Sequence, residues 1–268
     1  MTIGVFVNEN SVLSKNTCEK FKTIVGKSAK IVNVAENLTE KCDYIVVFGG
    51  DGTTVKSVPY ALGQNVPVLV VNTGTFGFLS DFTPENLQEV IRELLSKPEY
   101  TEKTLISVSH NGKSKICLND VVIQRKPKNE LVSEVIKLKI ELNGERIDNF
   151  YADGIVISTP TGSTAYSLSA GGAILTPDTN AFIITPICSH SFLSRPIVYN
   201  DNGILKITSL ETDRNSAVFA DGKYFSDVDD NEIIIEKSKK TLKLIKFKKE
   251  FFNKLCKKFN RVIGDEKI

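Results

Sequence analysis

An acidic side chain set among glycines where an apolar run stops is the feature of this chain that points to chemistry. Residues 44–48, Tyr-Ile-Val-Val-Phe, have the β-branched, apolar character of a strand covered on both faces of a parallel sheet, and they lead directly into Gly49, Gly50, Asp51, Gly52 and Thr53. Ligands of such sheets bind beyond the carboxyl ends of the strands. Glycines at that place reach positive φ and let backbone N–H groups approach phosphate oxygens, while the Asp51 carboxylate remains to accept a proton or hold a cation. The chemistry is that of a nucleotide site. It is not a common one, because no Gly-x-x-x-x-Gly-Lys-Ser/Thr occurs and the spacing is not Gly-x-Gly-x-x-Gly. An Asp-Gly hairpin turn is the competing local reading, but the stretch after Thr53 has mixed polarity and contains Pro59, where a return strand would alternate.

Three further segments carry more polar and glycine residues than folding asks for. After the strand-like run that ends at Val71 comes Asn72-Thr73-Gly74-Thr75-Phe76-Gly77-Phe78-Leu79, which puts an amide (Asn72) and a ring able to stack on a base (Phe78) at the same sheet edge as Asp51. Next, Asn119 and Asp120 interrupt a strand. Adjacent strand residues face opposite ways, so a bulge or strand end is needed for both to meet one ligand. Last, the segment from Tyr151 to Gly172 packs five hydroxyls between Ser158 and Thr164, namely Ser158, Thr159, Thr161, Ser163 and Thr164, broken by Pro160 and Gly162, whose donors suit phosphates and ribose.

These segments need two kinds of framework. Over the first hundred or so residues, strand runs at 3–7, 31–34, 44–48 and 66–71 alternate with helical patterns at 15–25 and after Thr83, where Pro84 takes the first helical position and Leu87, Val90, Ile91, Leu94 and Leu95 share a face. An α/β domain with a parallel sheet is expected over 1–103. From about Thr104 the pattern becomes β: hairpins at Asn111-Gly112 and Asn143-Gly144, then strands near 155–158, 182–185, 204–209, 217–219, 233–236 and 241–247. A β-rich domain is expected over 104–246. A final helix, with Phe252, Leu255, Cys256 and Phe259 on one side, is expected to pack back on the first domain over 247–268.

Composition narrows the partners. The 268 residues suffice for a large core, and a net charge of +2 gives no general attraction to nucleic acid or an acidic membrane. Five scattered cysteines without a Cys-x-x-Cys pair read as reduced. No basic leader precedes the short apolar stretch at the N-terminus and no run approaches a membrane span, so a cytoplasmic protein is expected.

Taken together, Gly-Gly-Asp-Gly-Thr at 49–53, Asn-x-Gly-x-x-Gly-Phe-Leu at 72–79, Asp153-Gly154 and the run Ser-Thr-Pro-Thr-Gly-Ser-Thr-Ala-Tyr at 158–166 with Ser-Ala-Gly-Gly at 169–172 resemble the NAD kinase family. Thr185 to Ser191, Arg195-Pro196 and Asp221-Gly222 look like later family segments. Asp120 stands where the family usually has Glu, Ala173 where it has Pro, and Ser189 where it has Pro.

The resemblance implies an α/β domain and a β-sandwich domain with NAD bound between them, paired as a homodimer or homotetramer. It implies transfer of the ATP terminal phosphoryl group to the adenosine ribose 2′-hydroxyl of NAD. Asp51 is then the candidate general base, and Gly49, Gly50, Gly52 and Thr53 cradle phosphates. Asn119 and Asp120 grip the adenosine, and Gly52, Asn72, Phe78, Asp153, Thr161, Thr164, Ala165, Tyr166 and Ser169 complete the dinucleotide contacts. No residue is assigned as a metal ligand, because Mg²⁺ comes with ATP. A diacylglycerol-type lipid kinase shares the first motif, but nothing in the chain looks like a membrane face. A non-catalytic NAD(H)-binding regulator gains nothing from a carboxylate near phosphates.

Overall fold

The computed structural model describes residues 1–37, 39–75, 77–126, 135–189, 195–210, 216–245 and 251–263. The chain forms two compact units, Met1–Lys103 with Leu242–Ile268, and Thr104–Thr241.

The first unit begins with β1 (Thr2–Val7), α1 (Val12–Val25), β2 (Lys30–Asn33), β3 (Tyr44–Phe48), α2 (Asp51–Gln64), β4 (Val68–Val71) and α3 (Leu87–Leu95). The strands pair in parallel in the order β2, β1, β3, β4, and every residue of β4 and the last four of β3 are buried, as a sheet covered on both faces requires. The chain goes to one side of β1 for β2 and to the other for β3, so the sheet has a topological switch point whose carboxyl edge carries the loops of interest. Helix α1 starts at the Ser11 cap, whose side chain accepts the Ser14 N–H, and buries Phe21 against Phe48 with ring centres 5.4 Å apart. Ahead of α3, Thr83 and Asn86 form a capping box around Pro84. Leu87, Val90 and Leu94 of α3 are buried, whereas Leu95 is exposed.

Helix α2 is the element that sequence pattern does not announce. Pro59 sits in its interior and removes one amide donor, but Thr53, Thr54, Ser57, Val58 and Ala61 still supply a buried face of small residues.

The second unit comprises β5 (Tyr100–His110), β6 (Lys113–Cys117), β7 (Asp120–Arg125), β8 (Ile136–Leu142), β9 (Glu145–Ala152), β10 (Gly154–Ser158), the short α4 (Tyr166–Ser169), β11 (Ala181–Ile187), β12 (Ile197–Asn200), β13 (Leu205–Ser209), β14 (Ser216–Ala220), β15 (Lys223–Asp227) and β16 (Ile233–Ile245). Strands β5 and β16 each cross the boundary by a few residues. An antiparallel sheet in the order β12, β11, β10, β7, β14, β15 shares one apolar core with β8, β9, β13 and β16: Ile123, Ile155, Ile157 and Phe182 from the first, Leu138, Ile140, Ile207 and Ile235 from the second. This is a β-sandwich. Its hairpins turn through residue pairs at positive φ, namely Asn111-Gly112, Asn143-Gly144 and also Asp221-Gly222.

The last strand returns to the first unit, where Leu244 and Ile245 pair in parallel with Val68 and Leu69 of β4, and α5 (Phe251–Ile263) comes after it. The face of α5 that packs is not the one expected. Phe251 lies 5.9 Å from the Phe78 ring, Lys254 bonds the Asp81 carboxylate and the Ser80 carbonyl, and Phe252, Cys256 and Phe259 are left exposed. A buried ion pair and a ring contact fix the rotation of the helix in place of its most apolar stripe.

Candidate active site

In the first unit β3 ends at Phe48 and α2 begins at Asp51, with Gly50 as its cap at φ −94° and ψ −168°. Contrary to the expectation of positive φ, the glycines of this turn have none. What the turn requires is space: a Cβ on Gly49 would lie 2.3 Å from the Thr53 hydroxyl oxygen. Thr53 and Thr54 both return their N–H groups to the Gly50 carbonyl at 3.0 Å. Geometry therefore leaves the amides of Asp51 and Gly52 at the helix start for an anion, with the helix dipole behind them. Thr53 itself is turned inward, 8% exposed.

The Asp51 side chain has a task that the sequence did not reveal. Its two carboxylate oxygens accept the N–H groups of Phe78 at 2.9 Å and Leu79 at 3.1 Å. A Cβ on Gly77 would lie 2.6 Å from one of those oxygens, so glycine is required there by close approach. Asp51 thus ties the turn after β3 to the loop after β4 and is held in one orientation. Each oxygen keeps a second lone pair for a hydroxyl proton.

The loop after β4 also differs from expectation in two ways. Both ends of the Asn72 amide are used locally, donating to the Thr75 carbonyl at 2.7 Å and accepting from the Gly74 N–H at 3.0 Å. The Phe78 ring is 8% exposed, with Phe251 beside it and the Lys258 ammonium 4.7 Å from its centre. It is not an open stacking face. The contact Phe78 makes with Asp51 is through its backbone N–H.

In the second unit Asn119 and Asp120 stand at the start of β7, the strand end that two adjacent polar residues needed. The Asn119 carbonyl accepts the Thr159 N–H at 2.9 Å, and the Leu118 carbonyl accepts the Thr159 hydroxyl at 2.6 Å. A Cβ on Gly162 would lie 2.1 Å from the Asn119 carbonyl oxygen, so the Thr-Pro-Thr-Gly loop is pressed backbone to backbone on this corner. The five hydroxyls consequently divide. Ser158, Thr159 and Ser163 are wholly buried and spent on internal bonds, Ser163 to the Pro160 carbonyl at 2.8 Å, so they build the loop and offer a ligand nothing. Thr164 is nearly buried and donates to the Thr161 carbonyl at 3.3 Å. Thr161 and Ala165 are half-buried, and Tyr166 and Ser169 are exposed. Asp153, between β9 and β10, accepts from Arg125 Nε at 3.1 Å and Nη2 at 3.2 Å. His190 and Ser191 lie outside the described residues, as does Phe76.

The electrostatics centre on Asp120, 6% exposed. Burial first, and then the neighbouring Asp221, push its carboxyl up to about 7. Holding a carboxyl near 7 in place of its ordinary value near 3.8 disfavours the ionised folded state by on the order of 4 kcal/mol. The folded value lies above the unfolded one, so the proton-linked stability is complete below about pH 4 and lost as pH rises through about 7. Asp120→Asn is expected to match the parent at about pH 4 and to exceed it at pH 8 by roughly 2–4 kcal/mol in urea unfolding. Equal differences at both pH values would contradict this.

An α/β unit with an acidic glycine turn at its switch point, joined in one chain to a β-sandwich carrying an amide–carboxyl corner, defines a nucleotide-binding protein of the kinase class. Two family models match: the ATP-NAD kinase N-terminal domain over 4–100 and the ATP-NAD kinase C-terminal domain over 118–247. Among relatives, the NAD kinase of Methanothermobacter thermautotrophicus is 34% identical over 219 residues, 81% of this chain and 76% of that protein. That of Caldicellulosiruptor saccharolyticus is 34% identical over 258 residues, 94% and 96% of the two chains. Among solved structures, an NAD kinase from Archaeoglobus fulgidus in complex with ATP superposes with a TM-score of 0.77 at 25% identity, covering 98% of this chain and 99% of that one. Yeast NADH kinase complexed with NADH gives 0.84 at 22%, covering 100% and 88%, a likeness of fold. The chain belongs to the ATP-NAD kinase family.

Proposed function

We propose that this NAD kinase moves the terminal phosphoryl group of ATP to the adenosine ribose 2′-hydroxyl of NAD with Asp51 as general base. The observation that carries the proposal is the fixed Asp51 carboxylate beside two open amides at the start of α2. A secondary hydroxyl is a poor nucleophile near neutral pH, and phosphoryl transfer depends chiefly on positioning and charge neutralisation. Asp51 takes the hydroxyl proton, and the Asp51 and Gly52 amides with Gly49 and Gly50 receive phosphate oxygens.

Asn119 and Asp120 hold the adenosine ribose, the carboxylate accepting its hydroxyl protons. Of the remaining dinucleotide set, Gly52, Thr161, Ala165, Tyr166 and Ser169 are half-buried or exposed, as are Asn72 and Asp153, whose side chains already hold partners within the protein. A divalent cation would come with the triphosphate and its waters, and no residue of the chain is assigned to it. When bound there it supplies positive charge to the transferring group. The family resemblance supports a cytoplasmic homo-oligomer; among the described residues no helix is long and apolar enough to cross a membrane.

The test is Asn119→Ala. Loss of one bond to a neutral group costs about 1 kcal/mol, and up to about 3 with a polar group left unpaired, so KM for NAD is expected to rise roughly 5- to 100-fold while KM for ATP stays near its parent value. A raised KM for ATP with an unchanged KM for NAD would overturn the assignment.

A further inference from the structure

The turn between β14 and β15 reaches into the corner at the start of β7. One oxygen of the Asp221 carboxylate accepts the Leu118 N–H at 2.8 Å, and the other accepts the N–H groups of Asn119 at 2.8 Å and Asp120 at 3.3 Å. The Asp221 N–H in turn donates to the Asp120 carbonyl at 3.0 Å. Three consecutive amides gathered by one carboxylate form an anion nest in which the anion is a side chain of the protein itself. Asp221 can do this because it stands at φ +49° beside Gly222 at φ +71°, the two-residue turn that swings its side chain back under the neighbouring strand. From the other side the corner is pressed by Gly162 and bonded by Thr159. Asn119 and Asp120 are thus clamped by their main chain from two directions, and their side chains remain for a ligand.

We propose that Asp221 is a positioning residue for the acceptor dinucleotide: it fixes the backbone from which Asn119 and Asp120 reach the adenosine ribose. This rests on the assignment of those two residues to NAD. The clamp also has a charge consequence. Burial pushes both the Asp120 and the Asp221 carboxyls up, and Asp221 adds to the effect on Asp120; Lys115, whose ammonium bonds the Ala220 carbonyl at 3.4 Å, and the buried Cys117 thiol are the other titratable groups around the pair. Removing the Asp221 charge therefore lets Asp120 ionise at lower pH.

Two variants and a pH series test the clamp. Asp221→Ala is expected to raise KM for NAD at least tenfold, with a much smaller effect on KM for ATP and on kcat. Asp221→Asn, which tolerates the left-handed turn and keeps one acceptor oxygen, is expected to recover most of that loss and to move the acid-side rise in KM for NAD to lower pH. Hydrogen exchange at Leu118, Asn119 and Asp120 in the intact Asn variant is expected to speed up at least tenfold relative to the middle of β7. A fall in kcat with both KM values unchanged is what fewer folded molecules would give, and it overturns the proposal; so does unchanged exchange at the three amides. If Asn119→Ala raises KM for NAD and Asp221→Ala does not, the clamp fails alone. If neither variant affects it, the dinucleotide assignment has failed and the clamp with it.

Discussion

Asp51→Asn is expected to lower kcat at least ~10²-fold, the lower end of what a positioned base contributes, while KM for NAD changes little. The substitution preserves size and turn preference but removes basicity and charge. Both carboxylate oxygens accept backbone N–H groups of the neighbouring loop, so the variant touches the fold as well as the chemistry. An amide can accept only one of the two, so a stability loss of about 1–3 kcal/mol accompanies the variant. The pH profile separates a base from an anchor. Loss of the base flattens the acid limb of kcat/KM, whereas mere loosening of the loop lowers the profile and keeps its shape. Near-normal turnover would remove Asp51 from the chemistry altogether, and partial recovery at high magnesium would recast it as a metal contact.

The second large effect is expected from Gly162→Ala. A Cβ there would meet the Asn119 carbonyl oxygen at 2.1 Å and its carbonyl and α carbons at 2.5 and 2.6 Å, all of them backbone atoms that cannot rotate away. Either the hydroxyl loop or the start of β7 must move, at a cost of about 3 kcal/mol or more. KM for NAD is expected to rise more than tenfold and the melting temperature to fall by several degrees. Calorimetry with NAD kinetics checks this, and a variant with parent values of both would show that the corner is far softer than its packing implies.

Local signals carried part of this molecule and long-range contacts the rest. The α/β unit and the β-rich character of the second unit were legible, because periodicity, the Asn-Gly turns and the apolar runs are local, whereas the sandwich was expected only from the family resemblance. The polar pair at 119–120 was legible as a bulge or a strand end, and β7 starts there at Asp120. Helix α2 was not, since its buried face is made of Thr, Ser, Val and Ala and is interrupted by Pro59, so no apolar stripe marks it. Hydroxyl count misled at 158–164: residue type says that Ser158, Thr159 and Ser163 can donate, but only burial shows that their bonds are spent inside. The ring of Phe78 misled in the same way, because the residues that cover it, Phe251 and Lys258, lie more than 170 positions later. Asp221 was visible only as an Asp-Gly pair; its clamp spans about a hundred residues of sequence, and no local pattern reports a contact of that range.

The central claim is the identity of the acceptor. The purified protein should be incubated with ATP labelled in its terminal phosphoryl group, Mg²⁺ and either NAD or diacylglycerol in mixed micelles, with products resolved and the labelled position read by phosphorus NMR. The account predicts one NADP for each ADP, the label on the adenosine ribose 2′ oxygen, and no phosphatidic acid. Label in phosphatidic acid, or NAD binding with no transfer of label, would contradict it.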